Sequence, residues 1–280
     1  MTTGLRRLQL DHARLYDHIR TAHLERAHRL PPATIVYGSK RYDFDERLAV
    51  GLDLVHAGAA AAAALIARSR IAVLEINEPF NIAANTRTAL VLGALGARTI
   101  FTRKKPLVVT YAIENMSPFG SGAQLRLSTR IRRRVERILV RFIWRRVDRV
   151  AYGTGAARAL YRDLLPASAR REESLVPALP EPCSCAAAAR RSHDVVFLGA
   201  LSDRKGFPQL LRAWPLVRER DPEVRLVILG KGKLEGLARE AARSDASIEV
   251  LIDPPREEIH RRLRASQVLT LPSQRTSTWR

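Results

Sequence analysis

The stretch that decides the fold is FLGALSDRKGFPQLLRAWPLVRERDPEVRLVILGKGKLEGLA, residues 197–238. Two short apolar runs, VVFLG at 195–199 and VRLVILG at 224–230, are typical of buried strands, and the segment between them is predicted as a helix over 207–221. Its apolar side chains recur at helical spacing, at Leu210, Leu211, Trp214 and Val217. This order predicts a βα unit that feeds a parallel sheet.

The same unit repeats towards the end of the chain. A helix near Leu234–Arg243 is followed by a strand IEVLI at 248–252, a helix near Arg256–Ala265 and a last strand VLTLP at 268–272. Because parallel sheets are normally covered on both faces, a strand this close to Arg280 indicates that the second domain is incomplete in this sequence.

The first half has the same architecture in a less regular form. Strands are predicted at TIVYG, IAVLEI, PLVVTY and DRVAYG, with helices near Asp45–Arg68, Ala83–Leu95 and Arg126–Arg146. The stretch PALPEPCSCAAAARRSHD is rich in proline and small residues, as interdomain connections are. The chain is therefore predicted to be an α/β protein of two Rossmann-like domains: 1–176, a linker at 177–193, and a partial second domain at 194–280.

Composition excludes some classes of protein. Apolar residues make up 46% and charged residues 27% of 280 residues, which is the balance of a folded protein and not of a disordered one. The start of the chain lacks the apolar run of a secretory signal, so a cytoplasmic location is expected. The CSC spacing of Cys183 and Cys185 favours inert thiols over a disulfide or a zinc site.

The net charge of +20 suggests either a polyanionic partner or a coding bias towards arginine. Only six of the 48 basic residues are lysine, which a bias alone would produce, so the charge by itself does not identify a partner.

Two glycine-containing turns follow predicted strands, and such turns bind phosphates because backbone N–H groups and a helix N-terminus point at one place. In the first turn, Arg204 and Lys205 precede Gly206 at the start of a helix. A cation at that end of a helix is slightly unfavourable, so Lys205 is predicted to contact a phosphate, and Arg204 is as easily a solvated side chain.

The second turn, LGKGKLEG, has an alternative interpretation. Gly230 and Gly232, with Asp253 about 20 residues further on, resemble a dinucleotide-binding pattern. The spacing to Gly236 gives GxGxxxG instead of GxGxxG, and the turn follows the second strand of its domain, which disfavours a nicotinamide-dependent oxidoreductase. A plain strand-to-helix turn explains these glycines equally well.

Taken together, residues 197–238 and IEVLIDPPREEIHRRLRASQVLTLPS at 248–273 resemble the carboxyl-terminal domain of the group 1 glycosyltransferases, also called glycosyltransferase family 4, which have the GT-B fold. Residues 106–165 are more loosely similar to the end of the amino-terminal domain of that family. The resemblance implies a retaining hexosyl transfer from a nucleotide-diphosphate sugar, without a metal or other cofactor. The acceptor would be an envelope polysaccharide, a glycolipid or a lipid-linked sugar.

The resemblance also implies roles for residues. Lys205 matches the lysine that grips the donor diphosphate, with Gly206 beside it, but Ala200 stands where the family has a second phosphate-binding arginine. Gly230 and Gly232 match the turn that lines the nucleotide pocket, and Gly199 and Asp253 are further candidates for nucleotide binding. The two glutamates of the acidic motif of the family are not in this sequence, so little or no turnover is expected of residues 1–280.

In the amino-terminal half, Ala112 stands where many relatives have a histidine that faces the donor sugar. Glu114 just beyond it is therefore a candidate catalytic residue, with a solvent-exposed loop carboxylate as the alternative. His56 and His193 are interpreted as ordinary surface or linker residues.

The segment 125–149 is strongly basic and amphipathic. Ile131, Val135, Ile138 and Phe142 fall on one helical face, with arginines on the rest. Such a helix can lie on anionic lipid at the inner face of the cell membrane. The favoured interpretation is instead a helix that packs this apolar stripe on the sheet.

A different class of function, a nucleic-acid-binding module, would also use the positive charge. It calls for aromatic platforms or a recognition helix. Aromatic residues are 6% of the chain and scattered, so no nucleic-acid partner is expected.

Overall fold

The computed structural model describes residues 8–41, 43–119, 127–167, 171–177 and 192–274. The chain divides into two compact units, Met1–Pro180 and Glu181–Arg280, a boundary that falls inside the linker expected at 177–193. Cys183 and Cys185, and the first two residues of the basic segment 125–149, lie outside the described residues.

The strands of unit 1 are β1 (His12–Ile19), β2 (Thr34–Lys40), β3 (Leu54–His56), β4 (Val73–Ile76), β5 (Leu107–Ala112), β6 (Arg149–Tyr152) and β7 (Glu172–Leu175). Its α-helices are α1 (Thr21–Arg29), α2 (Ala59–Arg68), α3 (Asn85–Thr102), α4 (Leu127–Trp144) and α5 (Gly155–Leu164). Within the described residues these seven strands form one sheet in the order β3-β2-β1-β4-β5-β6-β7, and every pair is parallel. The order reverses between β1 and β4.

Side chains alternate between the two faces of this sheet, as the pleat requires. One face packs on α2, α3, α4 and α5, through buried residues such as Leu15, Leu74, Ile66 and Val91. The other face packs on α1, where Tyr16 and Ile35 contact Leu24. The first sheet therefore has helices on both faces, and the carboxyl ends of its strands meet along one edge.

Two sequence expectations for unit 1 need correction. The helix expected near Asp45–Arg68 is instead a short 3-10 turn at Glu46–Ala49, the strand β3 and the helix α2. Gly51, at φ +83°, ends the 3-10 turn, after which Leu54 pairs with Ile35 of β2. Strand pairing with β2 overrides the helical pattern of the segment.

The second correction concerns α4. Three of the four residues expected to pack on the sheet are exposed: Ile131 by 58%, Val135 by 50% and Ile138 by 58%. The fourth, Phe142, is half-buried and packs against the core. Val140 and Ile143 are fully buried instead. These two lie about half a helical turn away from the expected stripe, so α4 packs with a different face, mainly in its second half.

Unit 2 has the strands β8 (Ser192–Leu198), β9 (Arg225–Gly230), β10 (Ile248–Ile252) and β11 (Ser266–Thr270), and the helices α6 (Phe207–Arg220), α7 (Glu235–Ser244) and α8 (Arg256–Ala265). Across residues 192–274 the four strands form a parallel sheet in the order β10-β9-β8-β11. One face packs on α6 and α7 around Phe197 and Trp214, and the other packs on α8 around Val227. The strands and helices expected here from the sequence are confirmed.

Candidate functional site

The strand order of unit 2 locates its ligand-binding edge. The chain leaves β8 towards β9 and β10 on one side, and then returns to place β11 on the other side of β8. In open parallel sheets, ligands bind beyond the carboxyl ends of the strands at such a reversal. The turn after β8, residues 199–206, and the segment after β11, residues 271–274, lie at this point.

The turns after β8 and β9 are joined by backbone hydrogen bonds. The N–H of Leu201 donates to the carbonyl of Lys231 over 3.0 Å, and the N–H of Leu234 donates back to the carbonyl of Leu201 over 3.2 Å. Gly199 donates to the carbonyl of Leu229 over 3.0 Å. The turn with Lys205 and the turn with Gly230 and Gly232 therefore lie side by side on one sheet edge.

The glycines of the second turn allow this close approach. A Cβ on Gly230 would lie 1.9 Å from the carbonyl oxygen of Gly199, and a Cβ on Gly232 would lie 2.6 Å from that of Leu201. Any side chain at either position would push the two turns apart.

Gly206 connects the β8 turn to the segment after β11. It has φ +70° and is the N-cap of α6, and a Cβ on it would lie 1.8 Å from the carbonyl oxygen of Pro272. The N–H of Gln274 donates to the carbonyl of Arg204 over 2.9 Å. The two strands that flank the reversal thus bring their following segments into direct contact.

Lys205 is the cation at the centre of this arrangement. It is half-buried, and within the part of the chain that the structure describes its ammonium has no hydrogen bond or ion pair. The first turn of α6 has no acidic residue and no side-chain cap, so the positive end of the helix dipole reinforces the charge of Lys205. Arg204 is exposed. Ala200 stands where the group 1 glycosyltransferases have their second phosphate-binding arginine, and it has only backbone groups with which to bind a phosphate.

Asp253 lies in the turn after β10 and is bound to the β9 turn. Its Oδ2 accepts a hydrogen bond of 2.6 Å from Nζ of Lys231, and its N–H donates to the carbonyl of Gly230 over 3.4 Å. Its φ of +49° is unusual for a residue with a side chain. A dinucleotide site would need this carboxylate for a ribose, whereas here a lysine neutralises it.

In unit 1, Glu114 lies in the loop after β5, next to a half-buried carboxylate that the sequence pattern did not identify. Glu78, two residues after the end of β4, accepts hydrogen bonds at Oε2 from the N–H groups of Ile113 at 2.9 Å and Glu114 at 3.0 Å. The hydroxyl of Tyr161 donates to the same oxygen over 3.2 Å. Glu78 therefore fixes the backbone that presents Glu114.

Burial raises the pKa of Glu78, opposed by its three hydrogen bonds, and the charge of Glu114 adds to the rise. Perturbed carboxyl groups are concentrated at functional sites, although structural networks perturb pKa values too. The signal in the sequence was a polar run, Asn77 and Glu78, directly after a buried strand at the edge where ligands bind.

His56 and His193, which the sequence indicates to be ordinary surface or linker residues, are both exposed. One of the ring nitrogens of His56 lies 2.8 Å from the carbonyl of Gly38. His193 lies 3.6 Å from Asp221. Over the described ranges, no cluster of three or more histidine, cysteine, aspartate or glutamate side chains is suited to hold a metal ion.

The outer surface of α4 combines apolar and basic side chains. The exposed stripe of Ile131, Val135 and Ile138 has exposed arginines beside it; they are Arg130, Arg132, Arg134, Arg137, Arg141 and Arg145. Arg137 and Arg141 also line a cavity of about 250 Å³ with Ser117, Phe119, Leu164 and Leu165. None of the described helices has the length and apolar character needed to cross a membrane.

Comparison with known proteins shows what unit 2 is similar to. Residues 192–279 match the family model described as Glycosyl transferases group 1. No curated protein sequence matches the chain. The resemblance of this part of the chain to the group 1 glycosyltransferases is thus confirmed.

Solved structures resemble the whole chain. The lipopolysaccharide outer core galactosyltransferase WaaB is 9% identical, with a TM-score of 0.56 over 94% of this chain and 74% of its own. HepE from Anabaena, solved with UDP and glucose, is 11% identical, with a TM-score of 0.55 over 92% and 73%. A putative UDP-N-acetylglucosamine 2-epimerase from Listeria monocytogenes is 12% identical, with a TM-score of 0.51 over 92% and 73%. At these identities the likeness shows the fold, which confirms the GT-B-like α/β architecture.

Proposed function

We propose that the protein is a glycosyltransferase that binds a nucleotide-diphosphate sugar on unit 2 and moves its sugar to an acceptor. The observation that carries the proposal is Lys205 in the turn at the strand-order reversal, directly before Gly206, with no side-chain partner among the described residues. A half-buried cation at the positive end of α6 is suited to a dianionic ligand.

The same geometry gives Lys205 a role in the reaction. As the bond between the anomeric carbon and the diphosphate breaks, negative charge builds up on the leaving diphosphate. A fixed ammonium and a helix N-terminus stabilise that charge more strongly than they stabilise the ground state. Gly199, Gly230 and Gly232 would let the nucleotide approach the backbone, and Arg204 would add a second, exposed cation.

Several finer features belong to this proposal. We propose that the transferred sugar is a hexose, that its anomeric configuration is retained, and that no metal or other cofactor takes part. On unit 1, Glu114 is the carboxylate proposed to face the reacting sugar, held in place by Glu78. The acceptor class follows from the family resemblance: an envelope polysaccharide, a glycolipid or a lipid-linked sugar.

The experiment is a calorimetric titration of the chain with UDP, the nucleotide bound to HepE, and with the other nucleoside diphosphates. Lys205→Ala is expected to lower the affinity for the preferred nucleoside diphosphate by about 10- to 100-fold. The reason is that a hydrogen bond to a charged group contributes roughly 1.5–3 kcal/mol. Arg212→Ala removes one charge from an exposed position in the middle of α6 and should leave the affinity unchanged.

Two results would reject the proposal. One is the absence of saturable binding of any nucleoside diphosphate or of its sugar esters. The other is equal loss of affinity in Lys205→Ala and Arg212→Ala, which would show general charge attraction. We propose that residues 1–280 by themselves turn over little or no donor, because the two glutamates of the acidic motif are not in this sequence. A putative 2-epimerase shares the fold, so an epimerised nucleotide sugar in mass spectrometry of the incubated donor would also reject the proposal.

The exposed face of α4 supports a location at a membrane. We propose that Ile131, Val135 and Ile138 insert among the lipids of the cytoplasmic face of the cell membrane, with the neighbouring arginines on anionic headgroups. Each basic residue near such a surface contributes about 1 kcal/mol. An acceptor that carries a lipid would then meet the enzyme at the membrane surface.

Co-sedimentation with vesicles tests this location. Binding to vesicles with 30% anionic lipid, roughly the charge density of a cytoplasmic leaflet, should fall at least fivefold when Ile131, Val135 and Ile138 are all changed to serine. The matched control changes Leu216 of unit 2, exposed by 62%, to serine. Unchanged binding in the triple variant, or equal binding to neutral vesicles, would reject the membrane contact.

Tight, salt-dependent binding of nucleic acid without any nucleotide-sugar affinity would favour the nucleic-acid-binding alternative.

A further inference from the structure

A buried arginine lies at the second strand-order reversal of the chain, in unit 1. Arg87 is the third residue of α3, the helix that follows β4, and the order of the first sheet reverses between β4 and β1. Its side chain is only 4% exposed. The first turn of α3 contains no acidic residue, so the guanidinium is close to the positive end of the helix dipole.

The guanidinium lacks partners. Within the described residues, Nε and Nη2 of Arg87 are buried and make no hydrogen bond, and no carboxylate lies within ion-pairing distance. These two nitrogens form the side-on edge of the guanidinium that binds carboxylates and phosphates through two parallel hydrogen bonds. The edge of Arg87 best suited to bind an oxyanion is thus the one without a partner.

The other buried arginine in the described part of unit 1 has partners by contrast. Arg14, 2% exposed, donates to Glu75 over 3.2 Å and to the carbonyl of Pro31 over 2.8 Å. An unpaired buried charge destabilises a fold by several kcal/mol. The unpartnered guanidinium of Arg87 therefore indicates a partner from outside the chain.

The surroundings of Arg87 show where that partner would lie. Its Nη1 is 3.1 Å from the position that a Cβ on Gly38 would take, at the end of β2, and Oδ1 of Asp17 is 3.4 Å from the same point. The Nη1 side therefore faces β1 and β2. The Asp17 carboxylate is shared with His18, whose Nε2 is 3.3 Å from Oδ2.

Two more polar groups, one directly after β4 and one in the first turn of α3, are buried and have no partner among the described residues. They are the hydroxyl of Thr88, the next residue of α3, and the amide Nδ2 of Asn77, the first residue after β4. Both are hydrogen-bond donors, as Nε and Nη2 of Arg87 are. Burial lowers the pKa of Arg87 and the charge of Asp17 opposes this.

We propose that Arg87 binds an oxyanion, a phosphate or carboxylate group of a ligand of unit 1, through its Nε and Nη2 at the carboxyl end of β4. Asn77, directly after β4, and Thr88, in the first turn of α3, are additional donors. The site is separate from the diphosphate site of unit 2 and needs no nucleotide. If the proposed transferase function holds, the oxyanion belongs to the acceptor, because unit 2 takes the donor.

The test uses the full chain with Lys205→Ala, so that phosphate cannot bind at the unit 2 turn. Inorganic phosphate and acetate are titrated separately at constant ionic strength, with ¹⁵N-detected signals of the arginine Nε–H groups as the readout. The signal that disappears in Arg87→Lys identifies Arg87. At least one of the two anions is expected to shift this signal in a saturable manner, and a response to phosphate or to acetate alone identifies the ligand group.

Three variants separate binding from folding. Calorimetry measures the affinity of the variants, because Arg87→Gln and Arg87→Lys both lack the Arg87 Nε–H signal. Each should weaken anion binding at least 10-fold, Arg87→Lys because it keeps the charge but lacks the two-nitrogen edge. Arg98→Gln, which removes an arginine from the far end of α3, should keep full affinity. Without an anion, Arg87→Gln should raise the melting temperature, because an unpaired buried charge is gone.

The site is disproved if neither anion shifts the Arg87 signal, or if the affinity in Arg87→Gln equals that in Arg98→Gln. These outcomes do not affect the proposed transferase function, which depends on nucleotide binding measured at Lys205. Conversely, a chain that binds no nucleotide diphosphate could still bind phosphate at Arg87.

Discussion

Gly206 and Pro272 lie so close together that a Cβ on the glycine would be 1.8 Å from the carbonyl oxygen of the proline. Gly206 also has a left-handed backbone, with φ +70°. Both facts restrict this position to glycine, and the contact joins the turn after β8 to the segment after β11.

Gly206→Ala should therefore disrupt the nucleotide site. The left-handed conformation alone destabilises an alanine by about 1–2 kcal/mol, and the clash with Pro272 must be relieved by moving one of the segments. We expect lower stability in urea denaturation and at least a 10-fold loss of nucleotide-diphosphate affinity. In the control Gly236→Ala, the added Cβ meets open space on α7, so a gain of roughly 0.5–1 kcal/mol is expected. Equal effects of the two substitutions would contradict the importance of the Gly206 contact.

Asp253→Asn tests how the pair with Lys231 affects the nucleotide. Removing the carboxylate takes one partner away from the ammonium of Lys231 and reduces negative charge next to the β9 turn. Asparagine also tolerates the left-handed φ of this position well. Calorimetry should show nucleotide-diphosphate affinity that is unchanged or increased about two- to fivefold. A 10-fold loss would instead mean that Asp253 binds the ribose directly.

Donor binding should not depend on a divalent metal. We expect the same nucleotide-diphosphate affinity in about 5 mM EDTA, which removes trace metal, as in about 5 mM Mg²⁺. The reason is that Lys205 and the α6 N-terminus supply the positive charge. Calorimetry in the two buffers measures this. A dependence on Mg²⁺ of 10-fold or more would show that a metal shares the diphosphate.

Glu75 is needed to compensate the buried charge of Arg14. Glu75 accepts from Arg14 at 3.2 Å and from Arg26 at 2.9 Å, and the side chains of Arg14 and Glu75 are 2% and 9% exposed. Glu75→Gln leaves Arg14 without its counter-charge and should lower the free energy of unfolding by about 3–5 kcal/mol.

A surface ion pair provides the control for Glu75. Glu172, exposed by 69%, pairs with Arg149, so Glu172→Gln should change the free energy of unfolding by less than about 1 kcal/mol. Urea denaturation measures both. If Glu75→Gln lowered the free energy of unfolding as little as Glu172→Gln, water would have to solvate the charge of Arg14.

His23 should make unit 1 sensitive to acid. Its ring stacks on Tyr16 at 4.1 Å, its Nδ1 is buried without a partner, and desolvation lowers its pKa to about 4. Because the folded state resists protonation of His23, the unfolded state binds the proton first as pH falls. The contribution of neutral His23 is therefore complete above about pH 6.5 and is lost between 6.5 and 4.

His23→Phe keeps the aromatic stack and removes the titration. Between pH 7 and pH 4 its unfolding free energy should fall less than that of the natural chain. The difference between the two falls should be roughly 3 kcal/mol at most. His193→Gln, at an exposed position of unit 2, should follow the natural profile. Parallel profiles for His23→Phe and the natural chain would show that His23 is protonated in the fold.

The strands and helices of unit 2 were predictable because local pattern and global fold agree there. In Ile248–Ile252, for example, apolar and β-branched residues form a strand whose ends are set by Asp253 and Pro254. The first strand of unit 1, His12–Ile19, was missed because it contains Arg14, Asp17 and two histidines. Only a partner distant in sequence, Glu75, makes that strand compatible with burial.

The sequence by itself determined the βα rhythm, the parallel sheet of unit 2 and the glycine turns with Lys205, because these depend on local spacing and backbone preference. The tertiary structure decided which groups meet: Gly206 with Pro272, Glu78 with the backbone of Glu114, and the unpaired Arg87 with the end of β2. It also decided which face of α4 is buried. These features depend on strand order and on long-range packing, which a periodic pattern along one chain does not encode.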